Sequence, residues 1–428
     1  MPSNRGEYHD PNVARWKFDV GSEAATIDVA RQVAGAVNIG DLVTLSGDLG
    51  AGKTTFARAL IRELMDDPHL DVPSPTFTLM QSYDGPRFPI VHADLYRIRD
   101  PDELIELGWE DVASSALMLV EWPERAENFF TLNRLDVRLD ILAESAGMRR
   151  TITLTGTGGW AERIQKARSL SDLLDSAGWG DARRELVQGD ASTRMYERLS
   201  LDGKTAILMI SPVLKHGPPI RMGKSYRVIA RLADHVSAFV AMSNGLRRFG
   251  VSAPEIFRAN LDDGLVLMED LGREGVVNPD GPIPERYFEA LTLLARLHGT
   301  DLPRALPVGD GEFHRLPIYD LEPLLIEVEL FLDWYVPYRI GKALSGSARG
   351  TFLNMWRRAL EPVALAVPTW VLRDFHSPNL LWLAEREGAD RVGVIDFQDA
   401  VIGHPAYDVG SLVFDARVPV SEVLAAHL

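Results

Sequence analysis

"SGDLGAGKTTFARALIREL", residues 46–64, decides how the first part of the chain folds. Gly47, Asp48, Leu49, Gly50, Ala51, Gly52, Lys53 and Thr54 satisfy G-x-x-x-x-G-K-[ST], in which glycines let backbone N–H groups wrap a phosphate chain. Lys53 is then the cation for the β/γ oxygens and Thr54 the hydroxyl for Mg²⁺. Thr55 continues into a helix whose positive end faces the anion. Before the loop, "DLVTLSG" (41–47) reads as a buried strand. After it, Phe56, Leu60, Ile61, Leu64 and Met65 recur at helical spacing. A glycine turn with an incidental lysine would explain neither Gly52-Lys53-Thr54 nor these flanks.

Further out, 16–20 reads as a short strand, 22–37 as a helix, and 77–83, 88–96 and 116–122 as strands. "LDVRLDIL" (135–142) and "RRTITLTG" (149–156) read as a hairpin. Strands interleaved with helices, then an antiparallel pair, predict an α/β sheet of mixed direction. Asp94 ends "PIVHADLY", where a carboxylate can bind Mg²⁺ directly or through water. Glu121, beside Trp122, closes "LMLVEW" and could orient water or sense a γ-phosphate. "PSPTFTL" (73–79), which holds Thr76, is a candidate nucleotide-responsive loop. The ordinary alternatives are a strand-end cap for Asp94, a surface carboxylate for Glu121 and a plain turn for the loop.

At 428 residues the chain is long enough for two or three domains. Its 45 basic and 61 acidic residues give −16, which argues against a self-sufficient nucleic-acid binder but not against a subunit whose partners hold the nucleic acid. Without cysteine there is no disulfide, zinc–thiolate or thiol nucleophile. No signal peptide or membrane-length apolar run is visible, so a cytoplasmic protein with no membrane partner is expected. "GTGGW" (156–160) punctuates the pattern, and we place domains at 1–160 and 182–428 with a linker helix at 161–181.

A second phosphate signature lies near the end. "LRDFHSPNLLWL" sets Asp374 five residues before Asn379, and "VGVIDFQDA" puts Asp396 seventeen beyond that, after a short strand. Kinase-type transfer needs a carboxylate facing the acceptor hydroxyl, and an Asn and an Asp on the metals. Asp374 is the candidate base; Asn379 and Asp396 are candidate ligands. Upstream, 182–212 reads as strands around Gly189 and Asp202-Gly203, 226–248 as a helix, "GLVLMEDLG" (264–272) as a hinge between lobes, and the rest to about 365 as mainly helical. His376, His298, His404 and Asp408 read as packing or bracing groups, "FLDWYVPY" (331–338) as core, and the basic stretch 215–231 as a solvated helix face.

Both regions resemble known families. "GDLGAGKTTFARAL", "VPSPTFTL", "VHADLYRI", "ELGWEDV" and "LVEWPERAE" occur in the order of the TsaE family, ATPase subunits of the bacterial machinery that makes threonylcarbamoyladenosine at tRNA position 37. That resemblance implies an ATP–Mg²⁺ site and work alongside TsaD-like and TsaB-like proteins, which contact the tRNA. "GDASTRMYERL", "LVLMEDLG", "LRDFHSPNLLW" and "VIDFQDAVIGHPAYDVGSL" resemble the aminoglycoside phosphotransferase family, in the branch containing AmgK.

The second resemblance implies a protein-kinase-like α+β fold of two lobes, about 182–272 and from 273. It also implies a Mg²⁺–ATP-dependent kinase for the anomeric hydroxyl of N-acetylmuramate and N-acetylglucosamine in cell-wall recycling. Gly189, Asp190, Ala191, Ser192 and Thr193 would lie over the phosphates; Glu269, Asp270 and Leu271 would border the adenine. Three departures stand out: Leu372 where kinases carry His, Met209 where many carry the phosphate-binding lysine, and an end at Leu428 where the family's helical region ordinarily continues. Met209 leaves open a degenerate docking module, and the acceptor could also be an aminoglycoside, choline or another alcohol. If the site works, Arg194 or another base must replace the lysine.

Overall fold

The computed structural model describes residues 10, 12–142, 149–187, 194–212, 217–309 and 311–428, and the chain divides into two compact units, Met1–Asp172 and Leu173–Leu428. In the first unit β1 (Val13–Val20), α1 (Glu23–Ala34), β2 (Leu42–Ser46), α2 (Lys53–Leu64), β3 (Met80–Asp84) and β4 (Pro89–Asp94) come in turn. They are followed by α3 (Glu103–Glu106), α4 (Trp109–Ala113), β5 (Leu117–Glu121), β6 (Leu135–Ile141) and β7 (Arg150–Thr157); α5 (Gly159–Ser176) crosses the division. Among the described residues seven strands form one sheet in the order β1-β7-β6-β2-β5-β4-β3. β2 runs parallel to β5 and β6, and β4 to β5; β1–β7, β6–β7 and β3–β4 are antiparallel.

Alternation explains why the strands are continuous apolar runs. Leu117 and Leu119 join Val43 and Leu45 under α1 and α2, while Met118 and Val120 join Val91, Ala93 and Trp109 on the opposite face. A strand buried on both sides needs apolar groups at every position. The register sets Leu45 and Asp94 opposite Glu121, so the ends of β2, β4 and β5 meet where α2 begins. Ligands of α/β sheets gather at such carboxyl ends.

The second unit opens with β8 (Arg183–Val187), β9 (Met195–Leu201) and β10 (Lys204–Ile210), and continues through β11 (Pro219–Arg221), β12 (Lys224–Ser225), α6 (Tyr226–Ile229), α7 (Ser237–Arg248), β13 (Ile256–Asn260) and β14 (Leu265–Glu269). Five of these strands make an antiparallel sheet, β13-β14-β10-β9-β8. Two short hairpins, β15 (Val277–Asn278) with β16 (Gly281–Pro282) and β17 (Ala305–Gly309) with β18 (Glu312–Arg315), flank α8 (Pro284–His298). The helices α9 (Leu321–Leu330), α10 (Val336–Ile340) and α11 (Gly346–Ala364) follow. Last come β19 (Thr369–Val371), β20 (Leu380–Trp382), β21 (Val392–Val394), β22 (Val401–Gly403), α12 (Ala406–Val413) and α13 (Glu422–His427). One apolar cluster runs from Met209 and Met268 through Phe239 and Leu293 to Trp370, Phe375 and Phe397.

Four sequence expectations need correction. The helix expected over 226–248 is two helices, because Arg231 takes φ 60 and the intervening backbone serves the loop below it. Ala230 O accepts from Arg373 and Ala233 N donates to Asp399. The stretch expected to be mainly helical after 273 includes the β17–β18 hairpin, where Pro307, Gly309 and Gly311 suit a turn. Residues 331–338 are not core: Leu332 is buried, but Trp334 is 75% and Tyr338 82% exposed around a single π-helical turn. Finally, Arg221 and Lys224 lie on the β11–β12 hairpin rather than on a helix face, and with Arg231 they pair with Glu329 and Glu322 on α9.

Two candidate phosphate sites

The first site forms where β2 turns into α2. Gly47, Gly50 and Gly52 take φ of 132, 78 and 109, and a Cβ on Gly47 would stand 2.1 Å from Leu139 O. No side chain caps α2, so its leading N–H groups remain available to an anion. Ala51 is buried, Leu49 and Asp48 lie toward solvent, and Lys53 folds back over the loop. Lys53 Nζ donates to Gly47 O at 2.7 Å and Asp48 O at 2.9 Å, and sits 3.6 Å over the Trp122 ring. Burial pulls this ammonium below its ordinary pKa, against Glu121, Glu124, Asp94 and Asp48, which favour its charge.

Thr54 Oγ1 donates to Glu121 Oε2 at 2.9 Å, and His92 Nε2 lies 3.0 Å from Glu121 Oε1. Asp94 accepts from Ser74 Oγ at 2.6 Å and from Tyr96 N at 3.0 Å. The predicted groups Lys53, Thr54, Asp94, Glu121 and Trp122 therefore converge. Thr76 does not join them; its hydroxyl donates to Ser74 O, and Ser74 is the loop residue that reaches Asp94. Thr55 lines an adjoining cavity of about 270 Å³ with Gly52, Ser22, Thr26 and Arg150.

The second site lies in a cavity of about 660 Å³, lined by Asp374, Asn379 and Asp396 on one side and Glu269, Asp270, Leu271 and Gly272 on another. Such a volume suits a nucleotide-sized ligand. Asn379 Nδ2 donates to Asp374 O at 3.0 Å and lies 3.5 Å from Asp396 Oδ2; Gln398 Nε2 holds Asp396 Oδ1 at 2.8 Å. Arg373 and Asp396 have φ of 69 and 59, a left-handed geometry that side chains tolerate where surrounding bonds enforce it.

Those bonds are present. Asp408, fully buried, accepts from Leu372 N and Arg373 N at 2.8 and 2.9 Å. The Arg373 guanidinium donates to Ala230 O and pairs with Glu327. Asp415 holds Ser377 through N–H and hydroxyl. At the hinge, Glu269 pairs with Arg247 and Arg386, and Asp270 is gripped bidentately by Arg198. Both carboxylates are thereby committed, which leaves backbone atoms to meet a base. Gly189, Asp190, Ala191, Ser192 and Thr193 lie outside the described residues.

Sequence reasoning missed His92, Ser74 and Gln398, each of which bonds a candidate carboxylate. His92 and Gln398 stand two residues from Asp94 and Asp396; for His92 that is the spacing that shares a strand face. His376 is buried, 3.6 Å from Asp374 Oδ1; His404 caps its own turn through Ala406 N; His298 ends α8, 4.0 Å from Asp408.

Each site offers oxygen ligands of the sort Mg²⁺ takes: Thr54 and Asp94 in one, Asn379 and Asp396 in the other. No cluster of three or more acidic or imidazole groups able to cage a metal unaided occurs among the described residues. Mg²⁺ ordinarily completes its shell with phosphate and water, so one or two protein ligands fit it. No described helix is long and apolar enough to cross a membrane.

Fold and site define an α/β P-loop ATPase joined to a kinase-like, ATP-dependent phosphotransferase. Residues 20–152 match the family described as threonylcarbamoyl adenosine biosynthesis protein TsaE, and 183–428 match the phosphotransferase enzyme family; the chain belongs to both. It is 35% identical over 156 residues to the tRNA threonylcarbamoyladenosine biosynthesis protein TsaE of Rickettsia felis, which covers 36% of this chain and 91% of that protein. It is also 35% identical over 269 residues to the N-acetylmuramate/N-acetylglucosamine kinase of Caulobacter vibrioides, 60% of this chain and 74% of the relative. The Pseudomonas aeruginosa kinase of the same description is 31% identical over 58% of this chain and 65% of its own length.

Proposed function

We propose that the first unit hydrolyses ATP within the cytoplasmic machinery that makes threonylcarbamoyladenosine on tRNA, beside TsaD-like and TsaB-like proteins that hold the tRNA. The second unit then phosphorylates the anomeric hydroxyl of N-acetylmuramate and N-acetylglucosamine for cell-wall recycling. The observation that carries the second assignment is the convergence of Asp374, Asn379 and Asp396 on one cavity that reaches the hinge. Asp374 accepts the acceptor's proton as its oxygen forms a bond to the γ-phosphorus, and the bond from that phosphorus to ADP breaks. Asn379 and Asp396 would hold Mg²⁺, whose charge would offset that of the phosphates.

In the first unit Lys53 exchanges its loop carbonyls for phosphate oxygens, and Thr54, which would hold Mg²⁺, turns its hydroxyl away from Glu121. That exchange frees Glu121, still held by His92, to orient water. N-acetylmuramate carries a carboxylate that N-acetylglucosamine lacks, and Arg417 lines the cavity with Asp374 and His376 to receive it.

Incubating the full chain with ATP and each amino sugar should yield the sugar 1-phosphate. Arg417→Ala should raise KM for N-acetylmuramate about tenfold, the worth of one charged hydrogen bond, and leave N-acetylglucosamine unchanged. Turnover of an aminoglycoside or choline but of neither amino sugar would overturn the assignment.

A further inference from the structure

The kinase-like site lacks the cation usually found on its central strand. Met209 occupies that position on β10, fully buried, opposite Tyr196 on β9 and Val266 on β14. A thioether cannot neutralise phosphate charge. Three arginines line the cavity among the described residues. Arg198 is engaged bidentately by Asp270 at the hinge. Arg417 lies two residues beyond Asp415, which anchors Ser377 in the loop that carries Asp374.

Arg194 differs from both. It immediately precedes β9, with its side chain 14% exposed and Nη1 3.8 Å from Asp396 Oδ1. It also donates to the Tyr196 hydroxyl, the side chain directly across from Met209. The guanidinium is therefore held beside the candidate metal-binding carboxylate, one strand over from the missing lysine. Its 3.8 Å separation from Asp396 is a charge pairing rather than a closed hydrogen bond, so the guanidinium can turn from Asp396 to an incoming anion. Asp396 keeps its own bonds from Gln398 and Asn379 if Arg194 does so.

We propose that Arg194 is the phosphate-binding cation of the second unit, taking from the adjacent strand the role that Met209 has vacated. The inference rests on the phosphotransferase reading of that unit. A planar fork binds two phosphate oxygens at once, where a lysine supplies a point charge. The strand exchange also accounts for how Met209 can be spent on core packing.

The test uses the full chain carrying Lys53→Ala and Thr54→Ala, so that the first site does not contribute, and reads binding by calorimetry with and without Mg²⁺. Arg194→Gln, which stays polar but removes the charge, should weaken ADP about 10–100-fold and leave adenosine within twofold. Arg194→Lys should recover most of that loss. In phosphotransfer, KM for ATP should rise by a similar factor in Arg194→Gln.

ADP affinity unchanged within twofold, or adenosine weakened as much as ADP, overturns the proposal. If the parent chain transfers phosphate to no alcohol, the phosphotransferase reading fails, while the comparison of ADP with adenosine still decides the role of Arg194.

Discussion

Replacing Asp270 by alanine strands a guanidinium in the wall of the nucleotide cavity. Arg198 meets Asp270 at 2.7 and 3.0 Å, with side chains only 12% and 6% exposed. Removing one partner of such a pair costs about 3–5 kcal/mol, because the remaining charge stays desolvated. Arg198 retains a 3.4 Å contact to Gly272 O and borders the open cavity, so we expect roughly 2–4 kcal/mol from Asp270→Ala. Replacing both, Arg198→Met with Asp270→Leu, should cost no more than about 1 kcal/mol. Hydrogen exchange of the β9, β10 and β14 amides localises the effect to this sheet. The single variant should lose protection by a factor of about 30–1,000, and the double by under tenfold.

The acid dependence has a defined sign. Burial pushes the Asp270 carboxyl up, but the Arg198 and Gly272 donors outweigh it and hold the group below its ordinary 3.8. Stability from the pair is therefore present above about pH 3.8 and lost as pH falls through the lowered value. Asp270→Asn should flatten that part of the curve. Loss of less than about 0.5 kcal/mol in Asp270→Ala would show instead that the pair is solvated, since that is the scale of an exposed pair.

Two further outcomes follow from the loops. Glu121→Gln should lower ATP hydrolysis about 10²–10⁴-fold while nucleotide affinity is retained, measured by phosphate release and nucleotide titration. Asp408→Asn keeps one acceptor for the Leu372 and Arg373 N–H groups where the carboxylate has two, so above about pH 7, where Asp408 is ionised, the loop bearing Asp374 shifts and kcat should fall about 100-fold. Burial, with Asp374 adding to it, raises Asp408 to about 7 despite those two donors. Its contribution to stability is then full below about 3.8 and lost as pH rises through 7, a slope that Asp408→Asn should remove.

The P-loop unit was legible because its chemistry is local: the glycines, Lys53 and Thr54 are contiguous, and Asp94 and Glu121 close strands that can be recognised by their apolar runs. His92 and Ser74 were not, since a buried histidine in an apolar strand looks like core until Glu121 is seen beside it. In the second unit the spacing of Asp374, Asn379 and Asp396 was readable, as was Met209 where many kinases carry a lysine. The break after α6 was not readable: Ala230 and Ala233 leave helical geometry for partners more than 140 residues away. The exposed Trp334 and Tyr338 defied the usual burial of aromatics for a reason the sequence does not carry.

If one chain carries two phosphate sites, each complete within its own unit, single substitutions should separate their activities. Lys53→Ala and Asp374→Ala, each made in the full chain, test it through ATP hydrolysis without acceptor and phosphorylation of N-acetylglucosamine. Lys53→Ala should abolish hydrolysis and leave sugar phosphorylation intact, and Asp374→Ala should do the reverse. Loss of both activities from either single substitution would contradict it.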